Sequence, residues 1–163
     1  MTRQALAPWR PTPITAKKSP MPRLVLALAL LLAGCTPGGD SLPEPAFGTA
    51  TCAGCGAVIA APRHAAQYQR ADGTVQAFDD PGCLFRALRA EIQPPRAIRF
   101  HGAGDGEWIA ASTAWFALVP GQTTPHGDNW AAYPSFAAAQ DAVAQAGGGE
   151  ILPFEQARLR VGQ

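Results

Sequence analysis

Beyond Lys18 the sequence contains no lysine, and beyond Met21 no methionine. The first absence belongs to a larger one. After Cys35 the chain carries eight Arg against twelve Asp or Glu, a net charge of −4, and the arginines nowhere form a cluster. Binding to nucleic acid needs a basic face to meet the phosphates, so that class of partner is excluded. The second absence leaves the chain past Met21 without a thioether, so any soft metal ion must be held by thiolate or imidazole. Also missing is an apolar run of the ~20 residues that a permanent membrane-spanning helix requires. No glycine-rich loop follows a strand, since Gly147-Gly148-Gly149 comes after a helical pattern. A phosphate-cradling nucleotide site is therefore not expected.

The short apolar run that is present covers residues 24–33 and holds only Leu, Val and Ala, with Arg23 before it and Gly34-Cys35 after it. Its length and flanks are those of a signal-peptide core. Leu32-Ala33-Gly34-Cys35 looks like a bacterial lipobox, which implies cleavage before Cys35 and lipidation of its thiol. Thr36 in place of Asp favours the outer membrane by the same analogy. Met21-Pro22-Arg23 would itself begin such a signal, so translation from Met21 is expected. Residues 1–34 then form an extension and signal, and 35–50, rich in Pro, Gly and Ser, a flexible tether. Residues 51–163 form the domain, on the periplasmic face of a bacterial membrane.

Within that domain residues 57–61 are a short apolar stretch fit for a strand. Residues 64–70 and 74–78 alternate around Asp72-Gly73, the signal for a tight hairpin, with Ala66, Tyr68, Val75 and Ala77 inward. Asp79-Asp80-Pro81 reads as a helix start, and Leu84, Phe85 and Leu88 carry the helix to about Ile92, before Pro94-Pro95. Residues 97–101 resume as a strand. Residues 108–110 and 114–119 are further strand candidates, followed by a loop over 120–130. Ser135 caps a second helix with Phe136, Ala139, Val143 and Ala146 on one face, the three glycines end it, and 151–154 close the pattern. Two ββαβ-type units in one small α+β domain are the expected fold.

Chemistry is concentrated in few residues. If Cys35 carries lipid, three thiols remain, Cys52, Cys55 and Cys83, an odd number for a disulfide framework. Cys52-Ala53-Gly54-Cys55 can close a disulfide or present two sulfurs to one soft ion, and its spacing alone leaves both open. Cys83 falls in the first turn of a helix, where the dipole favours thiolate, and is equally suited to be a small core residue. His126 lies in a polar loop beside Gly127, with freedom to act as a ligand. His64 and His101 fall at strand edges and are expected at the surface. No sequence feature places Cys83 beside a His as a nucleophile pair.

Taken in order, these motifs resemble the NosL family, the lipoprotein accessory factors of nitrous oxide reductase. The likeness rests on the lipobox, Cys52-Ala53-Gly54-Cys55-Gly56, Asp72-Gly73 and Phe78-Asp79-Asp80-Pro81-Gly82-Cys83. It continues through Glu107-Trp108-Ile109, Ala114-Trp115-Phe116, Pro125-His126-Gly127, Phe136-Ala137-Ala138 and Ile151-Leu152-Pro153-Phe154-Glu155. The resemblance implies a copper chaperone rather than an enzyme. It would be lipid-anchored outside the cytoplasm and would serve nitrous oxide reductase or its maturation transporter complex, and hence denitrification. It also implies a fold similar to part of the organomercurial lyases. Family members usually place Met two residues after the second motif Cys and in a Pro-Met-Gly loop; Ala57 and His126 stand there instead. The ion implied is Cu(I) at Cys55 and His126, with Cys52 as third ligand and Cys83 or His64 as alternatives; imidazole also admits zinc. Two other functions stay in view. One is thiol-disulfide exchange by Cys52 and Cys55, against which the pair precedes a strand rather than a helix. The other is cleavage or sequestration of organomercury, by fold analogy alone.

Overall fold

The computed structural model describes residues 42–104 and 106–161. The signal core, Cys35 and the start of the tether lie outside these residues. Among the described residues no helix is long and apolar enough to cross a membrane.

Among the described residues the chain forms two small antiparallel sheets and three helices. The first unit runs β1 (Ala66–Gln69), β2 (Val75–Phe78), α1 (Pro81–Leu88) and β3 (Ala97–His101). β4 (Trp108–Ala110) adds to the far side of β3, giving the order β2-β1-β3-β4. The second unit runs β5 (Trp115–Leu118), β6 (Trp130–Tyr133), α2 (Phe136–Gln145) and β7 (Glu150–Pro153), with sheet order β6-β5-β7. Each unit is thus strand, strand, helix, strand with its first strand in the middle, the expected α+β architecture. α3 (Phe154–Arg160) follows β7 directly.

Phe85 of α1 explains why the two sheets make one domain. It is fully buried and packs against Phe100 of β3, Phe116 of β5, Trp130 of β6 and Phe154 of α3, at ring-centroid distances of 5.1 to 6.2 Å. One helical side chain therefore joins both sheets. A parallel bridge between Gly102 and Ala132 links them at the backbone as well.

Several expectations need correction. β4 belongs to the first sheet, because His101 pairs with Trp108; the second unit takes β6 from what reads as the end of a loop. Residues 57–61 form no strand, only the bridge Thr51 to Val58. The inward set on β2 is also shifted by one. Ala66 pairs with Phe78 and Tyr68 with Gln76, so Phe78 and Gln76 share the Tyr68 face, while Val75 and Ala77 face the other way. α1 ends at Leu88, leaving Ile92 98% exposed.

That other face of the first sheet is covered by residues the composition assigns to the tether. Leu42 is buried, and the carbonyls of Leu42 and Pro43 accept hydrogen bonds from Arg99, with Pro43 also accepting from Gln67 Nε2. Glu44 accepts from Trp108 Nε1 at 2.8 Å, and the Arg99 guanidinium stacks on the same indole at 4.0 Å. His101 packs edge-on against Trp108. His101 is consequently buried rather than at the surface, and His64 is buried as well, each 6% exposed.

Candidate metal centre

Three pieces of chain build the site. The first is a hairpin whose tip is the Cys52-Ala53-Gly54-Cys55 loop. Backbone hydrogen bonds tie its root: Gly48 N to Ile59 O, Ile59 N to Ala50 O, and Cys52 N to Ala57 O, at 2.7 to 2.9 Å. Ile59 is fully buried and fixes that root in the core. The tip turns at Gly56, whose φ of 78° is left-handed, and Ala53 N hooks it onto β2 by donating to Ala77 O. Cys52 points inward and is buried, while Cys55 is exposed.

The second piece is the junction of β2 and α1. Asp80 is the N-cap of α1: its carboxylate accepts from Gly82 N at 2.7 Å, with Pro81 in the first turn. Asp79, one residue earlier, is left free to turn toward the thiols. Its two oxygens lie 3.6 and 3.7 Å from Cys55 Sγ. Cys83 follows in the first turn, buried, with the tip of the hairpin folded onto it: a Cβ at Gly54 would sit 3.4 Å from Cys83 Cβ. The Sγ atoms of Cys52, Cys55 and Cys83 and a carboxylate oxygen of Asp79 all lie within 4.8 Å of one another.

The third piece is the β5 to β6 loop carrying His126. Asp80 ties it down with its second oxygen, which accepts from His126 N at 3.3 Å, and with a hydrogen bond to Thr124. Asn129 (φ 61°) and Gly127 (φ 77°) bend the loop, and Asn129 N donates to Thr124 Oγ1. Arg86 completes the attachment, donating to Asp128 Oδ1 at 2.7 Å and to Cys83 Sγ at 3.2 Å. His126 is thereby grouped with Cys83 and Asp128, their ligand atoms within 4.8 Å of one another, rather than with Cys52 and Cys55. Cys83 is common to both groups. His64 joins neither.

The thiols do not share their charge evenly. Cys52 has its pKa lowered to about 6, chiefly because the Cys83 thiol donates a hydrogen bond to it. The same bond holds the Cys83 proton in place and pushes its pKa up, the reverse of what its helix-dipole position alone suggests. Cys55 is raised, first by removal of its sulfur from bulk water. Burial likewise raises Asp80. One thiolate thus stands ready at Cys52, and a metal ion would displace the remaining protons. A groove of about 660 Å³ lined by Cys55, Cys83, Arg86 and His126, together with Tyr68 and Glu91, gives access to this cluster.

Of the five candidate ligands expected from the sequence, all but His64 reach this region, and Asp79 is added to them. The adjacent acids Asp79 and Asp80 both fit a helix cap, and only the fold separates the one that caps from the one that faces sulfur. Three thiolates and a carboxylate are a donor set for a soft or borderline ion, Cu(I) or Zn(II).

No protein-family model matches the sequence, and a search of curated proteins finds no match. Among solved structures, the fold is similar to the crystal structure of the copper chaperone NosL from Shewanella denitrificans, with a TM-score of 0.62 and 20% sequence identity, covering 71% of this chain and 94% of that one.

Proposed function

We propose that this chain is a copper carrier, binding Cu(I) at Cys52, Cys55 and Cys83 with Asp79 beside them, and passing it on by ligand exchange. The observation that carries the reading is the convergence of three free thiols from two chain segments within 4.8 Å. Soft sulfur donors favour Cu(I) over harder ions, and three sulfurs alone can satisfy Cu(I), whereas zinc would draw in Asp79 as a fourth ligand. The similarity in fold to a copper chaperone supports the same ion. Cys55 is exposed beside the groove, so an acceptor's sulfur or imidazole can reach the metal before the buried thiolates release it. His126, next to Cys83, is placed to take part in that exchange rather than in the resting site. The likeness of Leu32-Ala33-Gly34-Cys35 to a lipobox supports an extracytoplasmic, lipid-anchored carrier, and the receiving copper centres would be those of nitrous oxide reductase or of the transporter complex that matures it.

Thiol-disulfide exchange by Cys52 and Cys55 is less well supported. An exchange enzyme needs its accessible cysteine to be the stabilised thiolate; here the exposed Cys55 is raised and the buried Cys52 lowered. The test is an anaerobic Cu(I) titration against a chromophoric competitor. One equivalent of tight binding is expected, weakened at least tenfold by Cys55→Ser and far less by His126→Ala (about tenfold per 1.4 kcal/mol of lost binding). Absence of tight binding, or indifference to Cys55→Ser, would overturn the proposal.

A further inference from the structure

We infer that the copper acceptor docks by strand addition: an extended segment of it pairs with the open outer edge of β2 at Val75 and thereby brings its metal-binding end to Cys55. The inference rests on the copper reading and names the form of the receiving partner. The register of β1 and β2 fixes which backbone groups face outward. Arg70 N donates to Thr74 O, so Tyr68 with Gln76 and Ala66 with Phe78 are the hydrogen-bonded pairs, while Val75 and Ala77 turn their N–H and C=O groups away from β1. That side is the end of the sheet. The hairpin tip takes the Ala77 end of it, where Ala53 N donates to Ala77 O. Among the described residues no hydrogen bond reaches Val75 N–H or C=O from that side.

The edge is also unguarded. Edge strands are ordinarily protected by charge, proline, short length or a covering segment. β7 carries Glu150 and Pro153, β4 has three residues with Glu44 bonded to its Trp108, and β6 is met at Ala132 by Gly102 and Ala103. β2 is Val75-Gln76-Ala77-Phe78, without charge or proline. Its place beside the metal cluster says what fills it. Val75 is two residues, about 7 Å of strand, from the point where the tip is hooked, and Gln76 of the same strand lines the groove at Cys55. Ligand exchange at exposed Cys55 requires a chain of the acceptor at this tip. A segment paired at Val75 runs end-on into the tip, so the residue just past the pairing is the one brought to the metal. From Thr51 to Pro62 the tip and its flanks carry no charge. The fitting segment is therefore extended, uncharged and β-branched, ending in a thiol, thioether or imidazole.

The experiment loads the full reduced chain with one equivalent of Cu(I) and adds excess of a blocked Thr-Val-Thr-Val-Gly-Cys peptide bearing a fluorophore that copper quenches. A reversed version, with the cysteine first, allows for the other strand direction. One of the two should take copper at least about fivefold faster than blocked cysteine alone. That advantage should vanish with Val75→Pro, which removes an outward N–H and no β1 to β2 bond, while transfer to blocked cysteine stays unchanged. It should vanish equally when the peptide's valines are replaced by proline, a comparison that uses the wild-type chain and so does not depend on the variant folding. No advantage for either peptide, or one that survives both proline changes, would overturn the inference. A metal-free chain that sediments as a dimer split by Val75→Pro would give the edge to a second copy and overturn it as well. A chain that binds no Cu(I) refutes the copper reading instead. Amide hydrogen exchange at Val75 in the metal-free chain then still decides the docking: slowing by the peptide supports strand addition, and an unchanged rate refutes it.

Discussion

Replacing Gly82 with alanine sets two effects of opposite sign against each other. Gly82 is the second residue of α1, where alanine is the better helix former by up to about 1 kcal/mol. A rule based on propensity therefore predicts stabilisation. The structure predicts the reverse. A Cβ at Gly82 would lie 2.3 Å from Asp128 Oδ2, 2.5 Å from its Cγ and 2.6 Å from its Cβ. Because the clash reaches the root of the Asp128 side chain, no rotamer change relieves it, and the β5 to β6 loop must move away. Overpacking of this kind costs about 1–3 kcal/mol. Loss of the half-exposed Arg86 to Asp128 ion pair adds about 0.5 kcal/mol after discounting for solvent. Set against the helical gain, the net is a destabilisation of about 0.5–2.5 kcal/mol. Urea unfolding of the metal-free protein measures it. An unfolding midpoint equal to or above that of the wild type would refute the close approach of α1 to the His126 loop, and with it the placement of His126 beside Cys83.

The thiol cluster and the aromatic core each carry expectations of their own. Cys52 should form its thiolate near pH 6, and Cys83→Ala, which removes the donor, should move that titration up toward the ordinary 9.0, as read from thiolate ultraviolet absorbance; an unmoved titration would contradict the hydrogen bond. Because the folded pKa is the lower one, the unfolded chain binds more protons between those two values, so the Cys52 contribution to stability grows as pH rises through that window and is lost as pH falls through about 6. Phe85→Ala should cost about 3–5 kcal/mol, a large part of a small domain's total, and both sheets should still unfold in one transition; two separate transitions would show that the units do not share a core.

Much of the fold is legible from local signals, and the failures have identifiable physical causes. Ser135 does cap α2, accepting from Ala138 N, and Gly147, at φ 80°, follows its end. Asp72-Gly73 does turn the β1 to β2 hairpin, with Thr74 N bonded to Asp72. β6 is hidden because Trp130-Ala131-Ala132-Tyr133 is buried over its first three residues and so shows no alternation. α3 is hidden because it starts straight from β7 at Pro153, which offers no side-chain cap. The shift of inward residues on β2 arises because Leu42 to Glu44 cover the second face, so that Gln67 is as buried as Tyr68 and polarity no longer marks the outside. At the site, the two motif cysteines and His126 stand out from spacing and loop composition. The role of Asp79 and the contact between Cys52 and Cys83 depend on how the hairpin tip folds onto α1, a tertiary fact without a local sequence signal.

Convergence of three sulfurs on one ion is tested most directly by X-ray absorption at the copper edge of the protein loaded with one equivalent of Cu(I). Copper should be surrounded by sulfur from Cys52, Cys55 and Cys83, losing one scatterer in Cys83→Ser and none in His126→Ala. A shell dominated by imidazole nitrogen, or one indifferent to Cys83, would contradict it.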